Sequence, residues 1–169
     1  MRLGEALKKI SRITLSVDSE IVNETVANEL KQYSAQALIE KSELKQSRPD
    51  NGQFCISTKN PILFEGMSLD EAFKTHPDGF TYFRIDDSGK GILFASRANI
   101  LYSAYCYIME ELLSDDVDKY KTGILLAPSF VCQRISYDYF LTQSGRTQRN
   151  FDRKEYIKYC ARIGVTHVE

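Results

Sequence analysis

Acid–base chemistry needs carboxyl groups that a fold can bring to one place. The chain has two adjacent acid pairs near ordered elements, Asp86-Asp87 and Asp115-Asp116. The first pair falls in a turn between two strands and the second at the end of a helix, where Asp residues serve as turn formers. They read as solvated turn acids. Gly89-Lys90-Gly91 lacks the spacing of a phosphate-binding loop and lies in the same turn. The two histidines, His76 and His167, are isolated. Cys55, Cys106, Cys132 and Cys160 each sit in an apolar run without a C-x-x-C spacing. They read as reduced thiols packed in a core, so neither a metal site nor a cofactor is expected.

What remains are residues that could bind rather than react. Arg134 could hold a hydroxyl-rich ligand, or pair with an acid along its strand, or stand at the surface. Tyr139 and Phe140 lie near the end of the same segment, where aromatic rings could stack on a sugar face. In a chain with 10 Tyr and 9 Phe such a placement also arises without function.

The elements that must position these residues follow from periodicity. Ile13, Leu15 and Val17 alternate with Arg12, Thr14 and Ser16, a half-buried strand over 12–17. Asp18 and Ser19 are N-cap types, and Val22, Val26, Leu30, Tyr33 and Ala37 continue at helical spacing to about residue 38. The polar stretch 40–52 ends in Arg-Pro-Asp-Asn-Gly and reads as a loop. A short strand is expected over 53–59, and a short helix capped by Ser68, with Glu71 completing a capping box. Residues 80–86 and 92–96, joined by Asp87-Ser88-Gly89-Lys90-Gly91, form an antiparallel hairpin. A helix over 100–113 follows, apolar round most of its circumference and therefore covered on more than one side.

Past about residue 120 the pattern changes. Residues 133–140 are β-rich and 142–150 are a polar loop. Asp152 and Glu155 open a helix over 153–163, Gly164 fits its C-terminal αL position, and 165–169 begin another strand. Strand–helix–strand with short connections implies a parallel sheet or barrel. The expected fold class is α+β. A small mixed sheet in the order β-α-β-β-β-α has helices packed on one face, over residues 1–120. The linker and first βα unit of a (β/α)8 barrel, incomplete at Glu169, occupy 121–169.

The hairpin and helix carry a resemblance. Asp78-Gly79-Phe80-Thr81-Tyr82 and Gly91-Ile92-Leu93-Phe94-Ala95 are followed by Asn99-Ile100-Leu101-Tyr102-Ser103-Ala104-Tyr105 and Glu111-Leu112-Leu113. This resembles the small α+β domain that precedes the catalytic barrel in chitobiases, β-N-acetylhexosaminidases and α-glucuronidases. Asn99 and Ser103 stand where those families usually have Gly. Ala127-Pro128-Ser129-Phe130, with Arg134 after it, resembles the way hexosaminidases enter their barrel. There the arginine is followed by Gly, here by Ile135, and Asp138 stands one position from the family's acid. Residues 156–169 are similar to a segment of α-glucuronidases.

The resemblance implies a non-catalytic scaffold domain of a glycoside hydrolase. Carbohydrate would be its partner through the complete barrel, with Arg134 on sugar hydroxyls. The paired acids of such enzymes, about 5–9.5 Å apart, would lie on later strands. From another class comes a self-standing α/β module that binds a ligand or protein without catalysis. A native reading frame that continues past Glu169 separates the two.

Bulk properties add exclusions. A net charge of −1 with interspersed acids and bases offers no nucleic-acid stripe and no basic membrane face. No run approaches the about 18 apolar residues of a membrane span. Met1–Ile10 lacks the apolar stretch of a secretory signal, which together with the cysteine pattern favours the cytoplasm.

Overall fold

The computed structural model describes residues 1–42, 49–58, 69–127, 134–135, 153–165 and 167–168. It is an α+β fold built on one mixed six-stranded sheet. The chain opens with a short helix, α1 (Leu3–Lys8), then β1 (Arg12–Ser16), α2 (Ile21–Tyr33), β2 (Leu38–Ser42) and β3 (Gln53–Ser57). There follow α3 (Asp70–Thr75), the hairpin β4 (Thr81–Ile85) and β5 (Gly91–Ala95), α4 (Ala98–Tyr107) and β6 (Ile124–Leu126). Strand order is β2-β1-β3-β5-β4-β6. The first four in that order run parallel, and β4 is antiparallel to both β5 and β6.

The strands sort their side chains by parity. Ile13, Leu15, Phe54, Ile56, Leu93, Ala95, Phe83 and Ile85 enter the main core, which Leu3 and Leu7 of α1, Val26 and Leu30 of α2, and Leu101 and Tyr105 of α4 cover. Ser34 Oγ donates to the Leu7 carbonyl at 2.6 Å, fastening the end of α2 to α1. Cys55, Ile92, Phe94, Tyr82 and Phe80 form a second cluster with Leu69 and Ala72. Phe73 of α3 meets Phe80 edge-on at 4.9 Å between ring centroids. So α3 lies on the second face, and the expectation of helices on one face alone is corrected. Every residue of β5 is buried, as a strand covered on both faces requires.

Other expectations also shift. The helix over 19–38 stops at Tyr33, and 38–42, read as helix end and loop, is a strand. With β2 and β6 the sheet has six strands rather than four, and it extends past residue 120. Glu20, not Asp18 or Ser19, is the N-cap of α2 and makes no side-chain cap. Leu69 is the N-cap of α3; Ser68 lies outside the described residues, as does Asp152. The helix over 100–113 is present from Ala98 but finishes as a π-helical turn, Ile108–Leu112.

After β6, β7 (Arg134–Ile135) and β8 (His167–Val168) pair in parallel with α5 (Arg153–Arg162) between them in sequence. Gly164 ends α5 with φ +82°, the left-handed turn that glycine adopts freely. α5 lies against α4: Cys160 is fully buried, and the Arg162 guanidinium pairs with the Glu110 carboxylate.

Candidate functional site

The acids singled out in the sequence are each occupied. Asp86 Oδ1 accepts from the Ser88 amide at 2.8 Å and its hydroxyl at 2.6 Å, closing the hairpin turn. Asp87 pairs with Lys121 at 3.2 Å, and that hydrogen bond holds its carboxyl below the usual range. Asp115 accepts from Tyr120 Oη at 2.7 Å and pairs with Lys119; Tyr120 and then Lys119 lower its pKa. Asp116 accepts from the Asp118 amide at 3.1 Å, capping the 3-10 turn Val117–Tyr120. These are turn and cap carboxylates. Among the described residues, no group of three or more His, Cys, Asp and Glu could hold a metal ion.

Of the binding candidates, Arg134 lies on β7, and His167 of β8 is its register partner. Tyr139 and Phe140 lie outside the described residues. Cys55, Cys106 and Cys160 are buried and unpaired. Burial raises the Cys55 thiol to about 12 and Cys106 to about 11, so neither is a nucleophile at neutral pH.

A partly polar concavity lies elsewhere. A cleft of about 650 Å³ opens where α2 and α4 begin, with Ser19, Glu20 and Val22 on one side and Asn99 and Tyr102 on the other. Ala161 and Val165, at the end of α5, form a third wall. β1 and β5 run parallel within the sheet and each leads directly into one of the two helices. The cleft therefore sits beyond the C-terminal ends of the parallel strands, where open α/β sheets bind ligands. Neither helix start is capped by a side chain. Tyr102 Oη donates to Glu29 Oε1 at 3.0 Å; burial, and then Glu29, push the phenol above its ordinary value. Ser19 Oγ is shielded from solvent and has no hydrogen-bond partner. Fully buried Asn23, one helical turn on, accepts from Thr58 at 3.2 Å and leaves its Nδ2 unpartnered.

Sequence reasoning missed this cleft. It treated Ser19 as a cap and met Tyr102 only within the helix over 100–113, and no local motif joins residues so far apart in the chain. A second groove, of about 410 Å³, lies between α4 and β6 and is lined mainly by Ile100, Ala104, Tyr107 and Leu125. Among the described residues, its lining includes no carboxylate, His, Lys or Arg. The sequence matches no protein-family model and no curated protein.

Proposed function

We propose that this chain is the supporting, non-catalytic N-terminal part of a glycoside hydrolase of the hexosaminidase or α-glucuronidase kind: an α+β domain with the first βα unit of the barrel. The observation that carries this reading is the one-sided docking of α5. Cys160 is buried against the domain. Tyr159 and Ile163, four residues apart on one flank of Cys160, are 56% and 43% exposed, and Ile157 on the other flank is 54% exposed. Helical spacing makes these two separate apolar flanks. An outer helix of a β/α barrel has a helical neighbour on each side, and flanks of this kind suit it. The parallel β7–β8 pair is consistent with the same unit. In this reading α4 seats the first barrel helix, and Arg134 would face sugar only once the remaining strands surround it.

A second reading, a self-standing ligand-binding module, draws on the cleft between α2 and α4, which needs no barrel. Reading the gene past codon 169 and assaying its product on chromogenic N-acetylhexosaminides and glucuronides, beside residues 1–169, separates the two. The expected result is further strand–helix repeats and hydrolysis by the longer protein only. A reading frame closing directly after Glu169 would sink the first reading.

A further inference from the structure

We propose that the cleft at the starts of α2 and α4 is a binding site for a neutral saccharide, separate from any site in a barrel. The choice of a saccharide among neutral polyols rests on the glycoside-hydrolase reading; the site itself does not.

The lining decides the class of ligand by its charge and its donors. Glu20 offers a carboxylate at the mouth, suited to accept from two neighbouring hydroxyls. Asn99 offers an amide that both donates and accepts. Val22, Ala161, Val165 and the Tyr102 ring supply apolar surface for the C–H face of a sugar ring.

Ionic ligands fit less well. An anion would be drawn to the backbone N–H groups of two uncapped helix starts, but Glu20 repels it and, among the described residues, no Lys or Arg lines the cleft. The guanidinium of Arg97, next to Ala98 of the lining, donates instead to the Pro77 carbonyl at 3.0 Å. A cation would be drawn to Glu20 but would meet the positive ends of both helices. Uncharged hydroxyls satisfy the donors and the carboxylate together.

The test is an amide chemical-shift titration of the ¹⁵N-labelled chain with N,N′-diacetylchitobiose, with glucuronate as the anionic comparison. Shifts confined to residues 19–23, 98–102 and 161–165 are expected, with a dissociation constant in the millimolar range. Asn99→Ala, at an exposed helix position, should weaken binding about fivefold through one lost hydrogen bond, with an unchanged thermal midpoint. Glu20→Gln should weaken chitobiose binding and improve glucuronate binding. No shifts with the neutral sugar, tighter binding of glucuronate, or shifts centred elsewhere would each overturn the proposal. None of these outcomes bears on the glycoside-hydrolase reading, which the longer reading frame and its hydrolysis decide.

Discussion

Tyr102 Oη donates to Glu29 Oε1 at 3.0 Å, and this bond ties α4 to α2 beside the cleft. Both side chains are only partly buried, so water can reach the carboxylate if the phenol is lost. Tyr102→Phe should therefore cost about 1 kcal/mol, the net worth of one hydrogen bond rather than the larger penalty of an orphaned buried charge. Urea unfolding of the two proteins measures it. An unchanged midpoint would mean that the bond contributes nothing to holding the helices together.

Stability should fall on the alkaline side, starting near pH 9. Burial raises Cys55 from 9.0 to about 12 and Cys106 from 9.0 to about 11. Burial likewise raises Tyr102, Tyr105 and Tyr120 above 10.0. Each folded-state group holds its proton more tightly than the unfolded chain does. Its contribution is complete below the unfolded pKa and is lost as pH climbs toward the folded one. The thiols act first, from about pH 9, and the phenols steepen the loss above about pH 10. Denaturation midpoints collected against pH test the order. Cys55→Ala should flatten the earliest part of the decline, and a curve level from neutrality to about pH 11 would contradict the assignment.

The legible parts of the fold were those whose burial follows a local period. The hairpin of β4 and β5 alternates cleanly, and α2 carries Val26 and Leu30 at helical spacing. β2 escaped notice because it is an edge strand. Leu38, Glu40, Lys41 and Ser42 are exposed and only Ile39 packs against the core, so no apolar alternation marks it. Polar edges of this kind also discourage pairing with other chains. α1 is six residues long, too short to show a period. Ser19 looked like a cap because of its type, yet the chain turns into the helix at Glu20 and leaves that hydroxyl unused. The cleft itself was invisible in the sequence, because it exists only where β1 and β5 deliver two distant helix starts to one edge.

Two glycines with positive φ should respond very differently to alanine. At Gly123, φ +88°, an added methyl would overlap the Tyr82 ring and hydroxyl, which donates to the adjacent Thr122 carbonyl at 3.2 Å. At Gly164, φ +82°, the nearest atom is Ser103 Cβ at 3.8 Å, an ordinary contact. Gly164→Ala should cost about 1–2 kcal/mol, the strain of the left-handed backbone alone. Gly123→Ala should cost at least about 3 kcal/mol, since overpacking adds to the same strain. Equal losses in thermal or urea unfolding would show that Tyr82 yields without cost.

Amides of α5 should exchange with solvent faster than those of β4 and β5. Among the described residues, Cys160 of α5 is buried and the Arg162–Glu110 pair is exposed. An exposed pair of this kind contributes about 0.5 kcal/mol, so Glu110→Ala should raise α5 exchange only slightly. Cys160→Asp places a charge at a fully buried position and should release α5 while leaving the sheet amides protected. β4 and β5, by contrast, pair with each other and with flanking strands and bury both faces. They can open only with the core. Hydrogen exchange read by mass spectrometry or NMR distinguishes the two regions. Equal protection of α5 and the hairpin would mean that the β7–α5–β8 unit unfolds with the sheet as one body. That result would count against a barrel unit waiting for its neighbours.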